Sequence, residues 1–97
     1  MRIIAKRILR EFWETHPDCE GSLRSWWQAA RSADWRNPSQ VKAAYPSASI
    51  LRDDRVVFNI HGNKHRLVVK VRYDYGIVYV RFVGSHTEYD AIDAETI

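Results

Sequence analysis

Between Arg55 and Arg81 lie six basic residues, Arg55, Lys64, Arg66, Lys70, Arg72 and Arg81, against one acidic residue, Asp74. Tyrosines fall in the same stretch, among them Tyr79. A guanidinium fork matches the oxygens of a phosphate, and an aromatic ring stacks on an unpaired base, so the combination suits single-stranded RNA. Lysine and arginine are also common on the solvated side of an antiparallel sheet. Such a side normally mixes both signs of charge, and the asymmetry here favours a phosphate-binding surface.

These side chains can act together only if strands hold them on one surface. After Asp54 the apolar spacing drops to two, and Val, Ile, Tyr and Phe crowd together. The pattern predicts strands at about Arg55–Ile60, His65–Tyr73 and Ile77–Gly84, joined by turns at His61-Gly62-Asn63-Lys64 and Asp74-Tyr75-Gly76. This order is an antiparallel meander. On the middle strand Leu67, Val69, Val71 and Tyr73 point one way, and Arg66, Val68, Lys70 and Arg72 the other. On the third, Val78, Val80 and Phe82 form the apolar set, opposite Ile77, Tyr79, Arg81 and Val83. If the apolar sets share a face under helices, Arg66, Lys70, Arg72, Tyr79 and Arg81 lie together on the open face.

The covering helices come first in the chain. Ile4, Ile8 and Phe12 fall four apart with Leu9 beside them, which predicts a helix over about residues 3–15, closed by Pro17. Asp18 can cap a second helix carrying Leu23, Trp26, Trp27 and Ala30, whose pattern ends near Asp34. Asn37-Pro38 is a cap followed by a first-turn proline, so Ser39–Ala44 forms a short third helix ending before Pro46. Trp13, Trp26, Trp27 and Trp35 are expected to fill the core, with at least one left for a protein partner to cover. Asn59 and Asn63 read as strand-end and turn residues, Gly62-Asn63 supplying left-handed backbone.

A chain of 97 residues, 45% hydrophobic and 12% aromatic, holds one domain, residues 1–97, with one core. Its net charge of +3 is too mild to indicate a nucleic-acid partner by itself. No apolar run approaches the roughly 20 residues that span a bilayer. The opening MRIIAKRILREFWE interleaves charges with apolar residues and lacks a small-residue cleavage site, so it reads as helix and not as a targeting segment. Cys19 is the one cysteine. It can form no internal disulfide and no cysteine cage, fits a reducing cytoplasm, and is expected to be inert. His61 and His65 have the spacing of a metal pair but straddle a hairpin turn, so no metal site is expected.

Two runs carry a family resemblance: Val57-Phe58-Asn59-Ile60 with Gly62-Asn63-Lys64-His65-Arg66-Leu67, and Tyr79-Val80-Arg81-Phe82-Val83-Gly84-Ser85-His86-Thr87-Glu88-Tyr89-Asp90. The chain resembles the HigB family of toxins from the region of Trp35 to Ile92. One departure is His65, where the family usually has an aromatic residue before the arginine. The resemblance implies a RelE-like α+β fold, with two to three N-terminal helices packed on a small antiparallel sheet of at least three strands. It implies an endoribonuclease that cuts messenger RNA, commonly in the decoding site of a translating 70S ribosome, with neither metal nor cofactor. The implied reaction is attack of a ribose 2′-hydroxyl on the adjacent phosphate, giving a 2′,3′-cyclic phosphate and a 5′-hydroxyl. A helix-turn-helix antitoxin of the HigA type is the implied partner.

The positions matching the family's catalytic residues are Arg66, Arg81, His86 and Tyr89, with Lys64, Lys70, Arg72 and Tyr79 as further RNA-binding residues. Arginine stays protonated, so Arg66, Arg72 and Arg81 can bind phosphate and stabilise transition-state charge, each by about 3 kcal/mol, but cannot act as base. His86 is the first acid-base candidate, because an unperturbed imidazole titrates at about 6.5. Tyr89 and then Lys70 follow, if neighbouring cations lower their pKa. Strict alternation puts His86 on the face opposite Arg81, so it can join the site only through a bulge at Gly84 or by the chain leaving the strand. The alternative for His86 is a hydrogen-bonded histidine that ties down the C-terminal segment, and for Tyr89 a core residue. A non-catalytic RNA-binding module on the same basic face is the competing function, and a toxin reduced to a structural partner of its antitoxin is a third.

Overall fold

In the computed structural model, which describes all residues 1–97, the three-stranded meander sits at the centre of a wider sheet. The elements are β1 (Arg2–Ile4), α1 (Lys6–Thr15), a 3-10 turn (Pro17–Cys19), α2 (Glu20–Ser32), α3 (Pro38–Ala44), β2 (Ser49–Ile50), β3 (Arg55–Ile60), β4 (His65–Arg72), β5 (Ile77–Ser85) and α4 (His86–Asp90). The strands lie in the order β1-β5-β4-β3-β2. β1 runs parallel to β5 and the other pairs are antiparallel, so the α+β fold carries a mixed sheet.

The first helix starts later than its apolar stripe suggests. Arg2, Ile3 and Ile4 pair with Ile77, Val78 and Tyr79, and satisfy backbone groups that would otherwise be bare at the edge of β5. The Met1 ammonium fixes this strand by donating to the carbonyl oxygens of Arg31 (3.0 Å) and Ala33 (2.6 Å) at the end of α2. In α1 the stripe that remains is Ile8, Leu9, Phe12 and Trp13, with Leu9 and Trp13 buried.

Asp18 does not cap the second helix. It belongs to the 3-10 turn, Cys19 takes the cap position without a side-chain bond, and the Asp18 carboxylate faces His61 and His65 instead. The short third helix is built as its sequence dictates. Asn37 Oδ1 accepts from the Gln40 amide at 3.0 Å, and Pro38 occupies the first turn. In the β3–β4 turn the left-handed residues are His61 (φ 54°) and Gly62 (φ 66°), so Asn63 is not one of them.

Helices α1 and α2 cover one face of the sheet. Leu9, Leu23, Trp26 and Ala30 meet Val56, Phe58, Leu67, Val69, Val71, Val78 and Val80 there, all buried. Trp35 and Tyr45 close around Phe58, with ring centroids at 6.3 and 5.1 Å. Trp13, Trp26 and Trp35 are core residues as expected. Trp27 is half-buried, with Lys6 Nζ 3.9 Å from its ring centroid.

A β-bulge breaks the alternation on β5. Val69 pairs with Val80 and Val68 pairs with Phe82, leaving Arg81 as the extra residue. The bulge turns the rest of the strand over. Phe82, expected beside Val78 and Val80, packs on the other face against Val57, Val68 and Ala94, and Val83 joins the main core in its place.

Candidate active site

The face away from α1 and α2 is laid out by register. Arg55 pairs with Lys70, Val57 with Val68 and Asn59 with Arg66. On the other side Arg66 meets Gly84, Val68 meets Phe82 and Lys70 meets Tyr79. Arg66, Lys70, Arg72 and Tyr79 therefore share a face, as the alternation requires. Arg81 joins them, as alternation from Tyr79 requires, and the bulge turns over only the residues that follow it. Its guanidinium carbon lies 5.3 Å from the Tyr79 ring centroid, and the residue is exposed.

The C-terminal segment closes the middle of this face. Beyond α4 the chain runs back over the sheet and buries Ala94 on Val57 and Val68, ringed by Leu51, Phe82, Tyr89, Ile92 and Ile97. Arg55 donates from Nε (3.2 Å) and Nη2 (2.7 Å) to the carbonyl oxygen of Ile97, and Arg52 pairs with Glu95. Arg55 thus holds the tail. The isolated Ile92 and Ile97 in an otherwise polar end were the available sign of this packing.

The covering divides the cations into two groups with different surroundings. At one end, Lys70 and Arg72 with Arg55 line an open cleft of about 520 Å³ that Asp53, Asp54 and Asp74 also line. Arg72 Nη2 is 3.5 Å from Asp74 Oδ2, and its guanidinium stacks on Tyr75 at 4.9 Å. The excess of bases counted along the sequence is therefore offset in space by the two aspartates just before Arg55. At the other end Arg66 donates to the Asn63 carbonyl oxygen at 3.1 Å. Arg66 and Arg81 form no ion pair, and Lys64 stands exposed in the turn.

The chain leaves the sheet at Ser85, so His86 lies on the helix that follows and not on the strand, and the bulge lies at Arg81 and not at Gly84. Ser85 begins α4 with a reciprocal cap. Its Oγ accepts from the Glu88 amide at 3.1 Å, and Glu88 Oε1 accepts from the Ser85 amide at 2.8 Å. Those bonds hold the Glu88 carboxyl below its usual pKa. Gly84 lets α4 approach, since a Cβ there would stand 2.5 Å from Phe82 Cζ and 3.2 Å from Glu88 Cβ. His86 is exposed in the first turn, with Nδ1 3.4 Å from Asp90 Oδ2. Tyr89 is half-buried against the Ala94 cluster.

Fold and site together define a small α+β domain whose sheet is buried under helices on one face and carries unpaired arginines on the other. Residues 19–92 match the HigB toxin family, a RelE-like toxic component of a toxin-antitoxin system, and the chain belongs to that family. An antitoxin is the partner of such a component. The chain is 29% identical over 96 residues to the mRNA interferase toxin HigB of Escherichia coli K12, covering 97% of this chain and 92% of that protein. The same identity and coverage relate it to proteins named mRNA interferase HigB in Escherichia coli O157:H7 and Shigella flexneri. No helix is long and apolar enough to cross a membrane.

Proposed function

We propose that this chain is an endoribonuclease toxin that cleaves messenger RNA on the translating 70S ribosome in the cytoplasm, and that a helix-turn-helix antitoxin of the HigA type restrains it. The observation that carries this reading is the family match over residues 19–92. The site supports it, because the exposed Arg81 and the half-buried Arg66 have no carboxylate partners, which leaves guanidinium donors for phosphate oxygens. Lys64, Lys70, Arg72 and Tyr79 serve the flanking nucleotides, the lysines and Arg72 through phosphates and Tyr79 through a base.

In the reaction a ribose 2′-oxygen forms a bond to the adjacent phosphorus while the bond to the 5′-oxygen breaks. The base takes the 2′-hydroxyl proton, and the departing 5′-oxygen gains one. Arg66 and Arg81 stabilise the charge gathered on the non-bridging oxygens, and their fixed protonation keeps them out of proton transfer. His86 is the preferred base, as its imidazole is exposed in the turn that follows the Arg66–Gly84 pair. Tyr89 has its ring engaged by the Ala94 cluster, and Lys70 stands on the far side of that cluster from Arg66.

The test maps RNA 5′ ends after purified protein is added to a message with and without translating ribosomes, alongside His86→Ala. Cuts that need translation and weaken in the variant support the whole reading. Cuts on naked RNA keep the nuclease and remove the ribosome. A folded protein that binds RNA and makes no cuts is the non-catalytic module instead.

A further inference from the structure

At the end of the sheet beyond Ile60, the corner between α1 and α2 meets the β3–β4 hairpin. Ligand atoms of Asp18, Cys19 and His65 lie there within 4.8 Å of one another. His65 Nε2 is 3.8 Å and His61 Nε2 3.9 Å from the same Asp18 oxygen, Oδ2. The spacing across the turn suggested that the two histidines could not serve one site. A third element, the 3-10 turn, supplies the point on which they converge.

His65 is the anomaly of this corner. It is 7% exposed, and neither ring nitrogen has a hydrogen-bond partner although both are buried. Phe12 and His16 meet its ring edge to face at 5.2 and 5.7 Å, which accounts for an aromatic residue at this position. A phenylalanine would pack there equally well and bury no polar atom. An imidazole with two orphaned nitrogens calls for a partner that the protein itself does not supply. Cys19, fully buried, directs its thiol to the His16 carbonyl oxygen at 3.1 Å, beside the carboxylate that faces His65.

We propose that Asp18, Cys19 and His65 bind a divalent cation of the zinc class, with the half-exposed His61 turning in from the hairpin to complete the set. Metal-ligand lengths of about 2.0–2.3 Å place tetrahedral ligand atoms about 3.4–3.6 Å apart, so His65 Nε2, 3.8 Å from Asp18 Oδ2, is near a bonding separation, while His61 approaches the carboxylate from outside the three-residue cluster. The Asp18 side chain is 48% exposed and free to swing in. Sulfur with imidazole selects zinc over magnesium or calcium, and one thiolate and one carboxylate neutralise its charge. The ion is structural here. It clips the α1–α2 corner to the hairpin that carries Lys64 and Arg66, and the proposal does not depend on the chain's being a nuclease.

The test titrates cobalt(II), then zinc, into chelator-treated full-length protein, and follows visible and near-ultraviolet absorption and Tm. The expected result is uptake of one equivalent with a sulfur-to-cobalt charge-transfer band, and a Tm rise of about 10 °C when zinc is at a hundredfold excess over Kd. Cys19→Ser should lose the sulfur band. His65→Phe, which keeps the ring packing, should weaken zinc binding by about a hundredfold or more and abolish the Tm rise. Asp18→Asn changes a half-exposed side chain without disturbing the core, and should also weaken uptake. No saturable uptake, uptake without the sulfur band, or uptake unchanged in these variants would overturn the site.

Discussion

Leu67 and Arg66 are neighbours in sequence and opposite in fate. Leu67 is fully buried in the main core under α1 and α2, while Arg66 is half-buried on the other face, with no carboxylate partner and Nη1 donating to the Asn63 carbonyl oxygen. The core face is continuous from Val78 to Ile60. Its counterpart is apolar only at its centre, where Ala94 covers Val57 and Val68, and the cations are pushed to either side. One face of the sheet thus stabilises the molecule and the other is left to bind. The small C-terminal cluster is the boundary between those roles.

The comparison is most strongly tested at the adjacent pair. Leu67→Ala should cost about 2–5 kcal/mol of stability, read as a lower urea midpoint, and leave the cleavage rate per folded molecule close to normal. Arg66→Ala and Arg81→Ala should each cut single-turnover cleavage by about a hundred- to a thousandfold, with a stability change within about 0.5 kcal/mol. Arg2→Ala removes the same charge from the edge strand and should leave cleavage unchanged. Equal losses for Arg2 and Arg81 would show net charge acting and not a site.

Smaller effects sharpen the boundary. Gly84→Ala forces a methyl group onto Phe82 and Glu88, and should cost about 1–3 kcal/mol while displacing α4. Ser85→Ala removes the cap of α4 and should cost about 1 kcal/mol, seen as faster amide exchange over residues 86–90. Glu88 is held below its ordinary value of 4.5, so its contribution is complete above that pH and is lost as acid protonates it in the folded state. Helix α4 should therefore loosen as the pH falls below about 4.5, while the core signals stay fixed. Glu88→Gln should remove that acid dependence, and NMR shifts of the α4 amides would show it.

Features that depend on near neighbours were legible in the sequence. The three central strands, the asparagine cap of α3 and the glycine-bearing turns follow from spacing and turn chemistry. Arg66, Lys70, Arg72 and Tyr79 share a face because alternation within a strand is local. Strand β1 was hidden because Ile4 extends the stripe of Ile8 and Phe12, and only the distant edge of β5 makes it extended. Phe82 and Val83 escaped alternation for a similar reason, since a bulge is a property of two paired strands.

The sequence by itself determined which residues alternate, where the chain turns, and the family motifs that hold Arg66, Arg81 and His86. Tertiary structure alone decided which face each residue beyond the bulge occupies, that Ala94 covers Val68, and that His61 and His65 meet at Asp18. These outcomes join residues far apart along the chain, as Ala94 is from Val57. Their energies come from surfaces that exist only once the sheet is paired and the helices are docked, so no local pattern encodes them.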